Sequence, residues 1–324
     1  MHIKRLYELF QSSFDLVGII HTKRYLNEIK AMGREVPHVD YPTMVVLGLA
    51  YPMRILKHSN THLVSSFYTH GSDYHTVLKE RIHHVMKEIP YPYELGVDNH
   101  PHNERLAASL AGLGFFGKNQ LMINNKLGSY FFLGIVFIDM NLEQEMTLFV
   151  DDDCGDCQIC IQNCPTHALD HGYDMNLCMS YYNQAKRVIT DDEMHANYLL
   201  FGCDICQRVC PKNVKKGTII HPEFELSGKE MVSIMDLFTL SEKQFRENYQ
   251  GMSYLWKGKT VLMRNTLMLL LKHKNTGYIH EIEETLVKYH APWYQDTAKR
   301  VLKALKDLDE KGLMVKLWAI YPIR

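Results

Sequence analysis

The chain is 324 residues long, 46% hydrophobic and 23% charged, enough to bury a sizeable core and to form two or three domains on the usual length prior. Lysine and arginine total 36 against 37 for aspartate and glutamate, so no global field draws a polyanion, and any nucleic-acid contact must rest on a local basic patch. No apolar run approaches a membrane span, and residues 1–5 lead into an amphipathic pattern (Leu6, Leu9, Phe10) rather than an apolar signal core, so a cytoplasmic protein without membrane contact is expected.

Residues 15–20 and 44–51 are short apolar runs closed by Thr22 and Pro52, the pattern of buried strands. Tyr74, Val77, Leu78, Ile82, Val85, Met86 and Ile89 recur at helical spacing behind Ser72 or Asp73 as N-cap, and Pro90 and Pro92 end that helix. The apolar approach Leu95-Gly96-Val97 puts Asp98 at the C-terminal end of a further strand, where α/β folds open their ligand crevices. A helix is expected to begin near Glu104 and to close on Gly112, Gly114 and Gly117, which either let backbone pack closely or admit a ligand. Lys118 and Asn119 follow that turn and are expected to face a cofactor. Residues 121–123 and 130–138 predict paired strands around the turn at 124–128. Residues 1–150 therefore predict an α/β core with a mixed sheet. From 151 to 217 the composition shifts to cysteine, aspartate and short loops, and from 218 to 324 it is helical without strand-like alternation. Helices are expected through Val261 to Leu271, at 279–289 and at 295–308, packed as hairpins of an α-solenoid fragment.

All eight cysteines lie between positions 154 and 210. Cys154, Cys157, Cys160 and Cys164, with Pro165, read C-x2-C-x2-C-x3-C-P, in which three closely spaced thiolates wrap one cubane while the fourth serves the other. Cys203, Cys206 and Cys210, with Pro211, supply one ligand too few, and Cys178 is left to fill the gap. By symmetry, Cys154, Cys157, Cys160 and Cys210 hold one 4Fe-4S cluster, and Cys164, Cys178, Cys203 and Cys206 hold the other. Three such close cysteines cannot all form disulfides without severe strain. Zinc takes paired C-x2-C units and would leave the third cysteine of the first run without a role. Two clusters say that electrons pass, and the long flanking segments imply that they are used within this chain.

Asp73-Tyr74-His75, Val97 to Arg105, Gly112 to Asn119, Leu127 to Gly134, Cys178-Met179-Ser180-Tyr181 and Phe201 to Gln207 occur in this order, and they make the sequence resemble the epoxyqueuosine reductase family. Arg264-Asn265 is a weaker match, to the start of that family's C-terminal helices. The resemblance implies an α+β fold: a nitroreductase-like α/β cobalamin domain over 1–150, a ferredoxin-like two-cluster module over 151–217 and a HEAT-like helical segment over 218–324. It further implies an enzyme that removes the epoxide oxygen from epoxyqueuosine in tRNA, and a monomer is expected. An external donor feeds two 4Fe-4S clusters, which reduce cobalamin, and Asp98 donates the proton. On that reading an apolar corrin face keeps the Asp98 carboxyl protonated near neutrality. The resemblance also brings Met122, Leu133 and Ser180, with Asp98, Lys118 and Asn119, toward cobalamin, and it calls for no cobalt-ligating histidine.

Lys212, Lys215 and Lys216 cluster after Cys210, and Lys299, Arg300, Lys303 and Lys306 share the polar side of the last helix. Lys299 and Lys303 are the expected phosphate contacts. Residues 23–43 are shorter than the family's segment and lack its His-Gly-x-Met-x-Tyr-like stretch, which lines the substrate side. That departure leaves two alternatives, a corrinoid iron-sulfur reductase of another small molecule and a non-enzymatic electron carrier.

Overall fold

The computed structural model describes residues 1–150 and 152–320, excepting the side chains of 312–320. The chain divides into two compact units, each assembled from three stretches. Met1–Arg54, Ser72–Asn163 and Ile205–Glu225 make the first, while Ile55–Gly71, Cys164–Asp204 and Leu226–Arg324 make the second. Both units thus draw on more than one of the three compositional stretches.

In the first unit the chain runs α1 (Ile3–Gln11), β1 (Leu16–His21), α2 (Thr22–Ala31) and β2 (Thr43–Ala50). In the second unit, β3 (His62–Val64) is a short strand. The first unit resumes with α3 (Tyr74–Met86), β4 (Tyr93–Gly96), α4 (Glu104–Leu110), β5 (Phe115–Phe116), β6 (Met122–Ile123) and β7 (Phe131–Ile138). Asp73 caps α3 by accepting from the His75 amide, and Asn103 caps α4 by accepting from the Leu106 amide.

The main sheet has the order β1-β2-β7-β4, and every neighbouring pair is antiparallel, which corrects the expected mixed sheet. Its central strands β2 and β7 are covered on both faces, so they read as continuous apolar runs and carry no cue to strand direction. Phe131, Ile135 and Phe137 of β7 pack with Tyr25 and Ile29 of α2 and with Ala107, Ala108 and Ala111 of α4. On the opposite face, a Cβ on Gly134 would meet Leu78 and Ile82 of α3.

The expected pairing of 121–123 with 130–138 is also corrected. β6 pairs with β5, while β7 lies between β2 and β4 and has no free edge to offer. A single bridge, Asn124 to Gly128, marks the reversal, which the Asn124 side chain closes by accepting from the Lys126 and Leu127 amides. Gly112 has φ +73° and a Cβ there would overlap the Leu148 carbonyl, while a Cβ on Gly114 would stand 2.6 Å from the Ile123 carbonyl oxygen. These two glycines serve close backbone packing.

Four short helices follow: α5 (Ile159–Gln162), α6 (Met179–Tyr182), α7 (Asp191–Ala196) and α8 (Ile205–Arg208). The second unit continues with β8 (Met231–Ser233), α9 (Ile234–Thr239), α10 (Glu242–Asn248), α11 (Lys259–Lys272), α12 (Ile279–Lys288) and α13 (Pro292–Ile320). β8 pairs with β3 through Leu63 and Val232, so the stretch after 218 is not wholly helical. Three residues are too few to show an alternation. α13 extends past both ends of the expected 295–308, with Pro292 at its start. Helix α11 is buried around nearly its whole circumference and packs with α13 and α9 in a core that includes Tyr182, Phe201, Phe245, Tyr254 and Tyr294. Among the described residues no helix is long and apolar enough to cross a membrane.

Candidate functional site

Within the first unit, Cys154, Cys157, Cys160 and Cys210 line one cavity of about 60 Å³ with Lys118, Asn119, Ile123, Pro211 and Lys212. These are the four cysteines grouped by spacing. Burial, then the nearby charges of Cys210 and Cys154, pushes the Cys160 thiol up, a cost that bound iron would offset. The Lys118 amide lies 3.4 Å from Cys154 Sγ, its Nζ donates to the Gly155 carbonyl, and the Asn119 side chain donates to the Cys206 carbonyl. Lys212 pairs with Asp152, so it is not a free cation.

A buried polar network fixes the loop carrying Cys206 and Cys210. Gln207 donates to the Tyr51 hydroxyl and the Ser129 carbonyl, each at 2.8 Å, and Asn213 donates to Ser129 Oγ and the Gln207 carbonyl. The Leu127 to Gly134 and Phe201 to Gln207 motifs therefore meet through Ser129 and Gln207. Cys164, Cys178 and Cys203 belong to the second unit. There the Tyr198 hydroxyl lies 3.9 Å from Cys203 Sγ.

Asp98 follows β4 at the expected strand end and adopts φ +49°, a left-handed conformation that is costly outside glycine and that aspartate tolerates better than most. Its side chain is 49% exposed. Its backbone amide donates to Glu104 at 2.9 Å, and its carboxylate faces His75 Nε2 at 3.0 Å, with the Tyr74 hydroxyl and the Asn99 side-chain Nδ2 each at 3.4 Å. His75 Nδ1 lies 2.7 Å from Asp73. Tyr74 stacks on Phe132 at 4.2 Å, and Phe132 packs against Tyr51 at 4.4 Å, so Tyr74 links the Asp98 lip to a buried aromatic cluster. The hydrogen bond from His75, followed by partial burial in the opposite sense, leaves Asp98 below the usual carboxylate range. Here a cationic partner stabilises the ionised form more than burial penalises it.

Residues 153–213 match the model of the 4Fe-4S double cluster binding domain. An epoxyqueuosine reductase from Lactococcus garvieae is 32% identical over 268 residues, which are 77% of this chain and 75% of the relative. This chain belongs to the epoxyqueuosine reductase family. Its cofactors include two 4Fe-4S clusters, and it is an oxidoreductase. The solved epoxyqueuosine reductase from Bacillus subtilis superposes with TM-score 0.79 at 25% identity, covering 94% of this chain and 91% of the other. An epoxyqueuosine reductase solved with an epoxyqueuosine-modified tRNA-Tyr stem loop shares the fold, with TM-score 0.76 at 24% identity over 94% of this chain and 98% of the other.

The other residues that the family resemblance singled out fall in different settings. Met122 is buried in the core containing Phe131 and Ile135, and Leu133 is half-buried against that same core, on the sheet face opposite Phe132. Ser180 is half-buried on α6 in the second unit. Lys299 and Lys303 are exposed on α13, whereas Arg300 is tied to Asp191 and Asp296 and Lys306 to Glu283. His75 was legible only as part of a motif, because its partner Asp98 lies 23 residues away. Lys126, which sequence reading did not single out, joins Lys215 and Lys216 around a cavity of about 240 Å³ walled by Tyr51 and Tyr130.

Proposed function

We propose that this chain reduces epoxyqueuosine to queuosine in tRNA, using cobalamin supplied with electrons by its two clusters. The 32% identity with the Lactococcus garvieae reductase over 77% of the chain carries this reading. The ligand sets follow the spacing: Cys154, Cys157, Cys160 and Cys210 for one cluster, and Cys164, Cys178, Cys203 and Cys206 for the other. The grouping of the first four around one cavity supports the first assignment.

The chemistry of the first unit fits a corrinoid. The cluster of Tyr51, Phe132 and Tyr74 backs the lip with apolar surface, which suits a macrocycle, and Asp98 supplies an acid at its edge. Both ring nitrogens of His75 are engaged by carboxylates, and His100 is engaged by Glu104 and the His102 amide. When bound, cobalamin supplies the nucleophilic two-electron chemistry. Asp98 places a proton on the departing oxygen. Lys118 and Asn119 brace the loop beside the first cluster and reach toward the cofactor, while Met122, Leu133 and Ser180 complete its surroundings.

In this reading the α/β part is nitroreductase-like, the cysteine-rich stretch is ferredoxin-like, and α11 to α13 form a HEAT-like segment whose Lys299 and Lys303 touch tRNA phosphate. The stretches 1–150, 151–217 and 218–324 carry these three tasks. The enzyme acts as a monomer in the cytoplasm and takes its electrons from an external donor. Incubating reduced, cobalamin-loaded protein with epoxyqueuosine-containing tRNA should yield queuosine on nucleoside mass spectrometry. An unchanged epoxide, with both clusters and cobalamin bound, would favour a different small-molecule substrate.

A further inference from the structure

His75 stands between two carboxylates, with Nδ1 2.7 Å from Asp73 Oδ1 and Nε2 3.0 Å from Asp98 Oδ2. An ionised carboxylate can only accept, and a neutral imidazole has a single N–H, so both contacts together require imidazolium. The ring is held from several sides. Asp73 also caps α3 through the His75 amide, Tyr74 stacks on the ring at 3.9 Å, and the side chain of His75 is only 20% exposed.

We infer that His75 is a positioning residue that stores a proton for Asp98 and reloads it after each delivery, with Asp73 holding the imidazole in line. The inference rests on the proposed epoxide reduction. Removing an epoxide oxygen as water while forming a carbon–carbon double bond consumes two electrons and two protons. One carboxyl holds one proton and must be recharged within the turnover.

In each delivery the N–H bond at His75 Nε2 breaks as an O–H bond forms at Asp98 Oδ2. That O–H bond then breaks as the departing oxygen gains the proton, and solvent returns a proton to the neutral imidazole. Substrate that excludes water from the half-exposed lip removes hydration from the ion pair and favours the neutral imidazole and carboxylic acid. Burial alone would lower the His75 pKa, but hydrogen bonds to Asp73 and Asp98, together with their charges, raise it to about 9. The Tyr74 hydroxyl and the Asn99 side-chain Nδ2 face the Asp98 carboxylate, while Glu104 accepts the Asp98 backbone amide and is itself paired with His100. The proton therefore remains on the pair across neutral pH.

Two readouts test this. In the oxidised holoprotein with carbon-13-labelled histidine, His75, assigned by the resonance lost in His75→Gln, should titrate near pH 9. Its midpoint should fall by about one unit or more in Asp98→Asn, as expected when an opposite charge is removed. Single-turnover rates in His75→Gln should drop about tenfold or more at pH 7, with tRNA affinity unchanged. The alkaline limb of the rate profile should also move toward the ordinary carboxylate range. A rate profile identical to wild type, or a His75 midpoint insensitive to Asp98→Asn, overturns the inference. The titration needs no substrate. If wild-type protein fails to turn over the tRNA, that failure counts against the proposed substrate, while the midpoint still decides the coupling.

Discussion

Two cationic side chains in this molecule show opposite uses of a charge. His75 in the first unit lies near a half-exposed lip and is held by two carboxylates. Arg264 on α11 in the second unit is fully buried and donates to the carbonyls of Tyr182, Asn183, Ala185 and Arg187 and to the Asn265 side chain. Asn265 adds bonds to the Asn183 and Leu200 carbonyls. Burial pulls Arg264 down to about 9, still protonated at neutrality. Its partners are mostly neutral backbone, so no proton can move along that network, and it acts to pin the loops following Cys178 against the helical core. The His75 network has acidic partners and an open side, so its proton can leave and return. Local chemistry of the acceptors separates a fastening from a relay.

The contrast predicts that damage to the interior network appears in stability and damage to the lip network in rate. The largest effect is expected from Arg264→Ala, which leaves several buried carbonyls unpaired and should cost about 3–5 kcal/mol. The change would be measured as a shift in the denaturant midpoint of the cluster-loaded protein. A loss below about 1 kcal/mol would mean that water replaces the guanidinium and that the network is no fastening. Asp98→Asn should leave that midpoint nearly unchanged and lower turnover by about a hundredfold or more with clusters and cobalamin retained. Near-normal turnover would make Asp98 a turn residue. The smallest effect belongs to the exposed α13 face. Replacing both Lys299 and Lys303 with alanine should weaken tRNA binding modestly and flatten its logarithmic salt dependence by roughly two units. An unchanged slope would make this face an ordinary solvated helix.

Features set by short chain spacing were legible before the fold was known. The C-x2-C repeats brought Cys154, Cys157 and Cys160 together, the symmetry of the two runs added Cys210, and one cavity holds all four. Helical spacing also placed Lys299 and Lys303 on the polar side of α13, and the apolar approach to Asp98 located it at a strand end. Long-range partner choice was not legible. Residues 122–123 pair with 115–116 rather than with the longer apolar run that follows, and β3 pairs with β8 from about half the chain away. The partner that sets the charge of Asp98 in the chain itself was not legible for the same reason. An apolar neighbour argues for a neutral acid, while the imidazole that reverses the balance lies on a helix encoded 23 residues earlier. Arg264-Asn265 was visible as a motif, but its task depends on carbonyls that only the folded loops present.

The threading of the chain through both units bears on how the protein is made. Met1–Arg54 starts the first unit, yet that unit also needs Ile205–Glu225, which includes the cysteine completing the first cavity. A nascent chain emerging from the ribosome therefore passes through a long interval in which Cys154, Cys157 and Cys160 are exposed without Cys210. During that interval the sheet also lacks the residues that brace Tyr51 and Ser129. The fourth cysteine of that cavity is thus supplied only after the first three have been made. No single cut releases either unit whole.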